Sequence, residues 1–253
     1  MNTTAYISEI FSSAQGEGVN IGRRQLFVRV CDCHRDCLYC DTETARTDSV
    51  RIETVPGSGK FSFAPNPLSP AKLLDLLQQL NAPQLAHADL FITGGEPLLQ
   101  VEFLGKFIPT AKHTLKLPVH LETSGDLPDA FAKIAPAVDH ILMDIKLPSV
   151  TGEPGTWNAH AAFLALINEY KISATIKLVV NSATSDDDLK TAADLIRTSQ
   201  TPAAIVLQPM TAALRMKNVP TAQQILMWQS NISCAIGRGV RIIPQSHKMM
   251  GLL

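Results

Sequence analysis

Seven short apolar, β-branched runs alternate with helix-like segments, and this alternation constrains the chain more than any other feature. The strand candidates are Gln25–Val30, Asp89–Thr93, Val119–Glu122, His140–Ile145, Ala174–Val180, Ala204–Gln208 and Val240–Ile243. The helix candidates are Pro70–Leu80, Leu98–Lys112, Leu127–Ile134, Thr156–Tyr170, Ser185–Thr198 and Thr221–Ile236. Ser69 before Pro70 supplies a cap and a first-turn proline, and Ser185 leads an acidic first turn. Near-continuous apolar runs such as Ile176–Val180 suit strands covered on both faces, as in a parallel sheet. Alternation repeated about six times predicts an α/β barrel or a doubly wound sheet. The stretch from Thr44 to Ser69 breaks the rhythm with Pro56, Gly57, Gly59, Pro65 and Pro67. It reads as an inserted loop with one strand near Val50–Val55. No repeat, low-complexity tract or linker divides the remainder, so a single domain over residues 1–253 is expected, with the insertion at about 44–69.

Hydrophobic residues make up 45% of the 253 and charged residues 18%, which permits a sizeable core. Twenty-two Lys and Arg against 23 Asp and Glu leave no electrostatic footprint for nucleic acid or an anionic membrane. The N-terminal MNTTAYISEIF has neither a basic flank nor a long apolar run, and no stretch has the length of a membrane span. A soluble cytoplasmic protein is expected. Of five cysteines, four fall within ten residues: Cys31, Cys33, Cys37 and Cys40. That clustering, with Cys234 left over, is a poor disulfide framework and a good metal or redox signal.

Polar residues collect just after the strand candidates. The first is followed by residues 31–42, CDCHRDCLYCDT, the second by Gly94-Gly95-Glu96-Pro97, and the third by Thr123-Ser124-Gly125. Asp144 and Lys146 close the fourth, Asn181 follows the fifth, Gln208 ends the sixth, and Gln245 and His247 follow the seventh. In parallel α/β architectures the carboxyl ends of the strands form the face on which active sites are built. The pattern points to an enzyme. Cys33-x3-Cys37-x2-Cys40 offers three thiolates from one loop, whereas an iron–sulfur cubane normally takes four. Three ligands leave one iron open to a cofactor or substrate. The alternative is a structural zinc site with His34 or another residue as fourth ligand. Cys31 reads as a small buried thiol on the preceding strand or as an extra ligand, and Cys234 as a core residue. Gly94 and Gly95 allow close backbone approach to a ligand. Taken alone, Glu96 is equally a first-turn acid ahead of the next helix.

The CxxxCxxC spacing followed by GGEP resembles the radical S-adenosylmethionine (SAM) superfamily. The stretch EIFSSAQGEGVNIGRRQLFVRV, CDT after the cysteines, and LETSG, MDIKLPS, LQPM and RIIPQSHKMMGLL resemble the 7-carboxy-7-deazaguanine synthase family across almost the whole chain. The resemblance implies an incomplete (β/α)6-type barrel of the radical SAM kind. It implies conversion of 6-carboxy-5,6,7,8-tetrahydropterin to 7-carboxy-7-deazaguanine with loss of ammonia, a carbon–nitrogen lyase step on a queuosine-type 7-deazapurine route. It further implies that SAM, chelated to the open iron and cleaved by one electron, would generate a 5′-deoxyadenosyl radical that abstracts hydrogen from C6 of the pterin, and that SAM would then be regenerated. The implied cofactors are a 4Fe–4S cluster on Cys33, Cys37 and Cys40, SAM, and Mg²⁺ at Thr42.

Matching positions imply SAM contacts at Tyr39, Asp41, Gly94, Gly95, Glu96, Ser124, Asp144, Lys146 and Gln208. They imply substrate contacts at Ala14, Gln15, Gly16, Arg29, Thr93 and the chain end, Leu253. A guanidinium at Arg29 suits a bidentate grip on the pterin carboxylate, although a strand arginine can equally serve a surface ion pair. The family also implies a homodimer and an electron-donor protein such as flavodoxin or ferredoxin. Asp32 stands where a glycine is common, Cys31 where a small residue is usual, and Asp144-Ile145-Lys146 departs from an SPK-like form. Two further readings stand beside this one: an activase that forms a glycyl radical on a partner protein, and a zinc-stabilised binding module. His247 and Lys248 are either pocket-closing residues or solvated terminal charges. Met249, Met250, Trp157 and Trp228 read as packing residues.

Overall fold

In the computed structural model, which describes residues 3–81, 86–212 and 217–253, ten strands join in one sheet. In chain order they are β1 Ile7–Ala14, β2 Arg24–Val30, β3 Ser49–Glu53, β4 Phe61–Pro65, β5 Asp89–Gly94, β6 Val119–Thr123, β7 His140–Asp144, β8 Ser173–Val180, β9 Ala204–Pro209 and β10 Val240–Ile242. Their spatial order is β10-β9-β8-β7-β6-β5-β2-β1-β3-β4. From β2 through β10 every neighbouring pair is parallel.

The helices are α1 Pro70–Leu80, α2 Val101–Leu115, α3 Pro128–Ala132, α4 Pro148–Thr151, α5 Trp157–Tyr170, α6 Asp186–Ser199, α7 Ala222–Ile236 and α8 Ser246–Met250. The six crossovers between parallel strands carry α1, α2, α3, α5, α6 and α7, which is the expected incomplete (β/α)6-type barrel. Local chemistry starts these helices where the sequence signals it. Ser69 accepts from Lys72 N ahead of Pro70, Ser185 accepts from Asp188 N, and Thr221 forms a capping box with Gln224.

The sheet is strongly curved. Ser246 donates its backbone N–H to Gly16 O at 3.0 Å, joining segments that follow β10 and β1. Seven strand steps separate those strands, about 34 Å in a flat sheet. The chain between the strand ends and this bond spans at most about 21 Å. Only a sheet rolled part-way into a barrel brings them together. Alternate strand residues divide accordingly. Leu26, Val28, Val30, Leu90, Ile92, Ile141 and Met143 join the main core, which also holds helix residues such as Phe103, Phe107, Phe131 and Phe163. Phe11, Phe27, Phe91 and Leu142 form a separate cluster on the concave face, with Leu253 packed against it.

Several expectations differ from the structure. β1 was not among the strand candidates, because Glu9, Ser12 and Ser13 interrupt its apolar pattern. All three are nonetheless buried, and Ser12 Oγ meets His87 Nε2 at 2.6 Å and accepts from Arg24 Nε at 2.9 Å. The stretch expected as a loop with one strand forms a hairpin. β3 pairs parallel with β1 and antiparallel with β4, extending the sheet beyond the barrel. The segment expected to begin a helix at Leu98 starts as a 3-10 turn, Pro97–Gln100, before α2. Cys234 is exposed on α7 rather than in the core, and Met249 and Met250 of α8 are exposed rather than packed. Among the described residues, no helix is long and apolar enough to cross a membrane.

Candidate active site

A cavity of roughly 620 Å³ occupies the concave face of the sheet. One wall is the loop after β2, which carries the cysteines. Backbone bonds fix this loop against β5: Gly95 N donates to Val30 O at 3.1 Å, and Glu96 N to Asp32 O at 2.8 Å. Close approach requires the glycines. A Cβ on Gly94, at φ +129°, would lie 2.3 Å from Val30 O, and one on Gly95 only 1.9 Å from Asp32 O. Asp32 itself adopts φ 69°, a left-handed conformation that glycine takes at no steric cost and that Asp tolerates. Its carboxylate is held by Arg46 Nε at 2.8 Å. The departure from glycine thus preserves the backbone shape.

Cys33, Cys37 and Cys40 all line the cavity. Burial pushes the Cys33 thiol up and the Cys37 thiol to about 11, so loading a metal there must expel protons. Cys31 is fully buried and does not line the cavity. Among the described residues, no three His, Cys, Asp or Glu side chains converge as ligands of a single ion. A cubane has no need of such convergence, since each thiolate takes a different iron.

Glu96 does not line the cavity. Its Oε1 accepts from Leu98 N at 3.0 Å and Thr123 Oγ1 at 2.8 Å, and its Oε2 from Ser124 N and Oγ at 2.8 and 2.7 Å. Burial outweighs these donors and raises its pKa. The carboxylate expected to meet a cofactor instead ties the loop after β5 to the loop after β6. Ser124, which it holds, does line the cavity.

Beside the cysteines, Lys146 Nζ donates to Tyr39 OH at 2.9 Å and to Asp144 Oδ2 at 2.7 Å. Burial alone lowers the Lys146 pKa, but Asp144 outweighs it and holds the value well above normal. Asp144 Oδ1 and Gln208 Oε1 are buried acceptors without a hydrogen-bond partner. Both residues line the cavity, so its wall fits a ligand rich in hydroxyl or ammonium donors. The residues around the thiols therefore fit a cubane and a nucleoside-bearing amino-acid cofactor such as SAM.

The facing wall consists of strand side chains. Arg29 donates Nε–H to Glu9 Oε2 at 3.0 Å, with its guanidinium carbon 5.6 Å from the Phe11 ring centroid. Arg51 of the hairpin pairs with the same Glu9. Lys177 Nζ donates to Glu17 Oε2 at 2.5 Å and Glu122 Oε1 at 2.8 Å, and lies 3.6 Å from Asp144 Oδ2. Burial alone would lower the Lys177 pKa, but Glu122, Glu17 and Asp144 hold it well above normal. Burial alone would raise that of Glu17, yet Lys177 brings it to about 2. Thr93 Oγ1 donates to Glu122 Oε2 at 2.8 Å.

Ala14, Gln15, Gly16, Asp41 and Thr42 also line the cavity. A Cβ on Gly16 would lie 2.1 Å from His247 Nδ1, Lys248 pairs with Asp41, and Leu253 lines the cavity. Of the two readings of His247 and Lys248, the structure favours the pocket-closing one. Apart from Glu96, every site residue implied by the sequence meets in this one cavity. Glu9, Glu17, Glu122 and Lys177 were not singled out from the sequence. Lys177 carried a signal, as the one charge inside the apolar run Ile176–Val180.

The family model for the radical SAM superfamily matches residues 28–196. A protein of Geobacter sulfurreducens named 7-carboxy-7-deazaguanine synthase is 37% identical over 252 residues, covering 98% of this chain and 98% of its own. A protein of the same name from Thermococcus kodakarensis is 32% identical over 215 residues, covering 80% and 83%. Among solved structures, QueE from Escherichia coli superposes with a TM-score of 0.59 at 19% identity, covering 94% of this chain and 93% of its own. A radical SAM methyltransferase from Sphaerobacter thermophilus gives 0.59 at 13% identity, covering 94% and 77%. At those identities the two likenesses speak for the fold.

Proposed function

We infer, from the premise that this chain belongs to the radical SAM superfamily and, within it, to the 7-carboxy-7-deazaguanine synthase family, that it contracts a pterin ring. The substrate is 6-carboxy-5,6,7,8-tetrahydropterin and the products are 7-carboxy-7-deazaguanine and ammonia. The observation that carries this is the pairing of two walls across one cavity, three thiols and a glycine-bared backbone facing Arg29 and a buried carboxylate–lysine network.

Cys33, Cys37 and Cys40 hold the 4Fe–4S cluster, and Tyr39, Asp41, Gly94, Gly95, Ser124, Asp144, Lys146 and Gln208 surround SAM. When bound, the two together supply a carbon radical able to abstract hydrogen from the pterin. Glu9 engages Arg29 Nε, which leaves the terminal nitrogens of Arg29 for the substrate carboxylate. Ala14, Gln15, Gly16, Thr93 and Leu253 enclose the ring system. Lys177 stays protonated and Glu17 ionised at neutral pH, so they fix charge around the substrate rather than shuttle protons. The cavity offers no all-protein cage for a divalent ion among the described residues. Thr42 would hold Mg²⁺ through its hydroxyl oxygen, with substrate and water supplying further oxygen ligands. A homodimer reduced by a flavodoxin or ferredoxin in the cytoplasm completes the proposal.

The test is an anaerobic incubation of reconstituted protein with SAM, a one-electron reductant, Mg²⁺ and the pterin, followed by mass spectrometry. Formation of 7-carboxy-7-deazaguanine with SAM unconsumed supports the assignment. Its absence from protein carrying a full cluster overturns the reaction, and Cys37→Ala gives no product.

A further inference from the structure

Arg35 lies between Cys33 and Cys37, with its side chain only 6% exposed. Its Nη1 donates to Asp126 Oδ2 at 2.6 Å, and its Nε lies 2.9 Å from Glu153 Oε2. Glu153 also reaches the loop directly. Its Oε1 accepts from Asp36 N at 2.8 Å, and its Oε2 stands 3.6 Å from Cys37 Sγ. Asp126 Oδ1 lies 2.5 Å from Ser124 Oγ, and Ser124 is the residue held by Glu96. His34 Nε2 lies 3.1 Å from the same Asp126. A buried cation and two carboxylates thus frame one cysteine of the triad. Leu38 N, donating to Thr151 O at 3.0 Å, secures the far side of that cysteine.

Reduction of an iron–sulfur cluster by one electron adds one negative charge. Net charge nearby and hydrogen bonds to the sulfurs are the protein's levers on the potential. Arg35 acts through the first, as a buried cation two residues from Cys37 and paired with the carboxylate that stands beside that sulfur. Glu153 acts against it, as a carboxylate beside the same sulfur. The fork geometry explains the choice of arginine, since one planar group meets two carboxylates from different loops, which a lysine point charge cannot do with the same directionality.

We propose that Arg35 is a positioning residue for the Cys37 thiolate that sets the cluster's reduction potential, its guanidinium favouring the reduced state and Glu153 opposing it. This rests on the 4Fe–4S reading of the three cysteines. The pair sets how strong a one-electron donor the enzyme needs.

The test is a dithionite titration of anaerobically reconstituted holoprotein, followed by electron paramagnetic resonance, with iron and sulfide measured for every variant. Arg35→Gln is expected to make reduction about tenfold less favourable, a fall of about 59 mV for one electron. Glu153→Gln is expected to shift the midpoint upward, and the double variant to return towards wild type. Arg35→Lys retains part of the effect. Loosening of the loop alone would not give opposite signs. Unchanged or like-signed shifts in variants with a full cluster overturn the proposal. If Arg35→Gln loses iron, Glu153→Gln and Arg35→Lys decide it, and an unshifted midpoint in Glu153→Gln overturns it. Wild-type protein that takes up no four-iron, four-sulfide cluster overturns the parent reading instead.

Discussion

On the cysteine side of the cavity, residues 31–42 meet Gly94–Glu96 through backbone bonds and bare glycines. On the facing side, Arg29, Glu122 and Lys177 stand on separate strands, and charged side chains hold the wall, Arg29 to Glu9 and Lys177 to Glu122. The first wall is shaped by sterics, because what matters there is how closely two stretches of main chain approach. The second is held by electrostatics, since three carboxylates surround one buried ammonium. A wall of the first kind fails by displacement, and one of the second kind fails by losing a charge.

Removing the ammonium is the harshest way to break this contrast. Lys177→Met removes the cation paired with Glu17 and Glu122, leaving Asp144 to Lys146, and is expected to cost about 3–5 kcal/mol in urea unfolding. Adding Glu122→Gln should recover part of that loss, because the two sites are directly coupled. Gly95→Ala tests the steric wall. Its Cβ must push the Asp32 carbonyl away, an overpacking cost of about 1–3 kcal/mol with lower iron retention and unaltered charge.

The acid limb of stability separates the walls more gently. The folded pKa of Glu17, about 2, lies below the ordinary 4.5. Its stabilising contribution is therefore complete above pH 4.5 and lost as pH falls from 4.5 towards 2. Glu17→Gln should flatten the stability curve in that window, as followed by circular dichroism, while Gly95→Ala leaves its slope intact. The smallest effect belongs to Asp32→Gly. Glycine fits φ 69° without strain but enlarges the unfolded ensemble, and the exposed Arg46 pair contributes little. A change within about 1 kcal/mol of zero is expected.

The steric wall was largely legible in the sequence. Its residues fall in two short contiguous stretches, and their spacing carries the chemistry wherever the chain goes. Glu96 shows the limit. Its place in GGEP implied a cofactor contact, yet which way the carboxylate faces depends on Ser124, 28 residues later. The electrostatic wall was mostly illegible. Glu17 and Lys177 are 160 residues apart, and no local pattern reports that they touch. The polar residues of β1 hid a strand for the same reason, since their partners lie elsewhere in the chain.

The sequence by itself determined the alternation of the seven parallel strands with their six crossover helices, the cysteine loop and the glycines opposite it. Periodicity, caps and motif spacing act over a few residues and need no tertiary context. Tertiary structure alone decided that β1 and the hairpin extend the sheet, that Cys234 faces outward, and that Arg35 lies between Asp126 and Glu153. It also decided which charges are buried together. Curvature of the sheet sets those distances, and curvature is a property of all the strands at once.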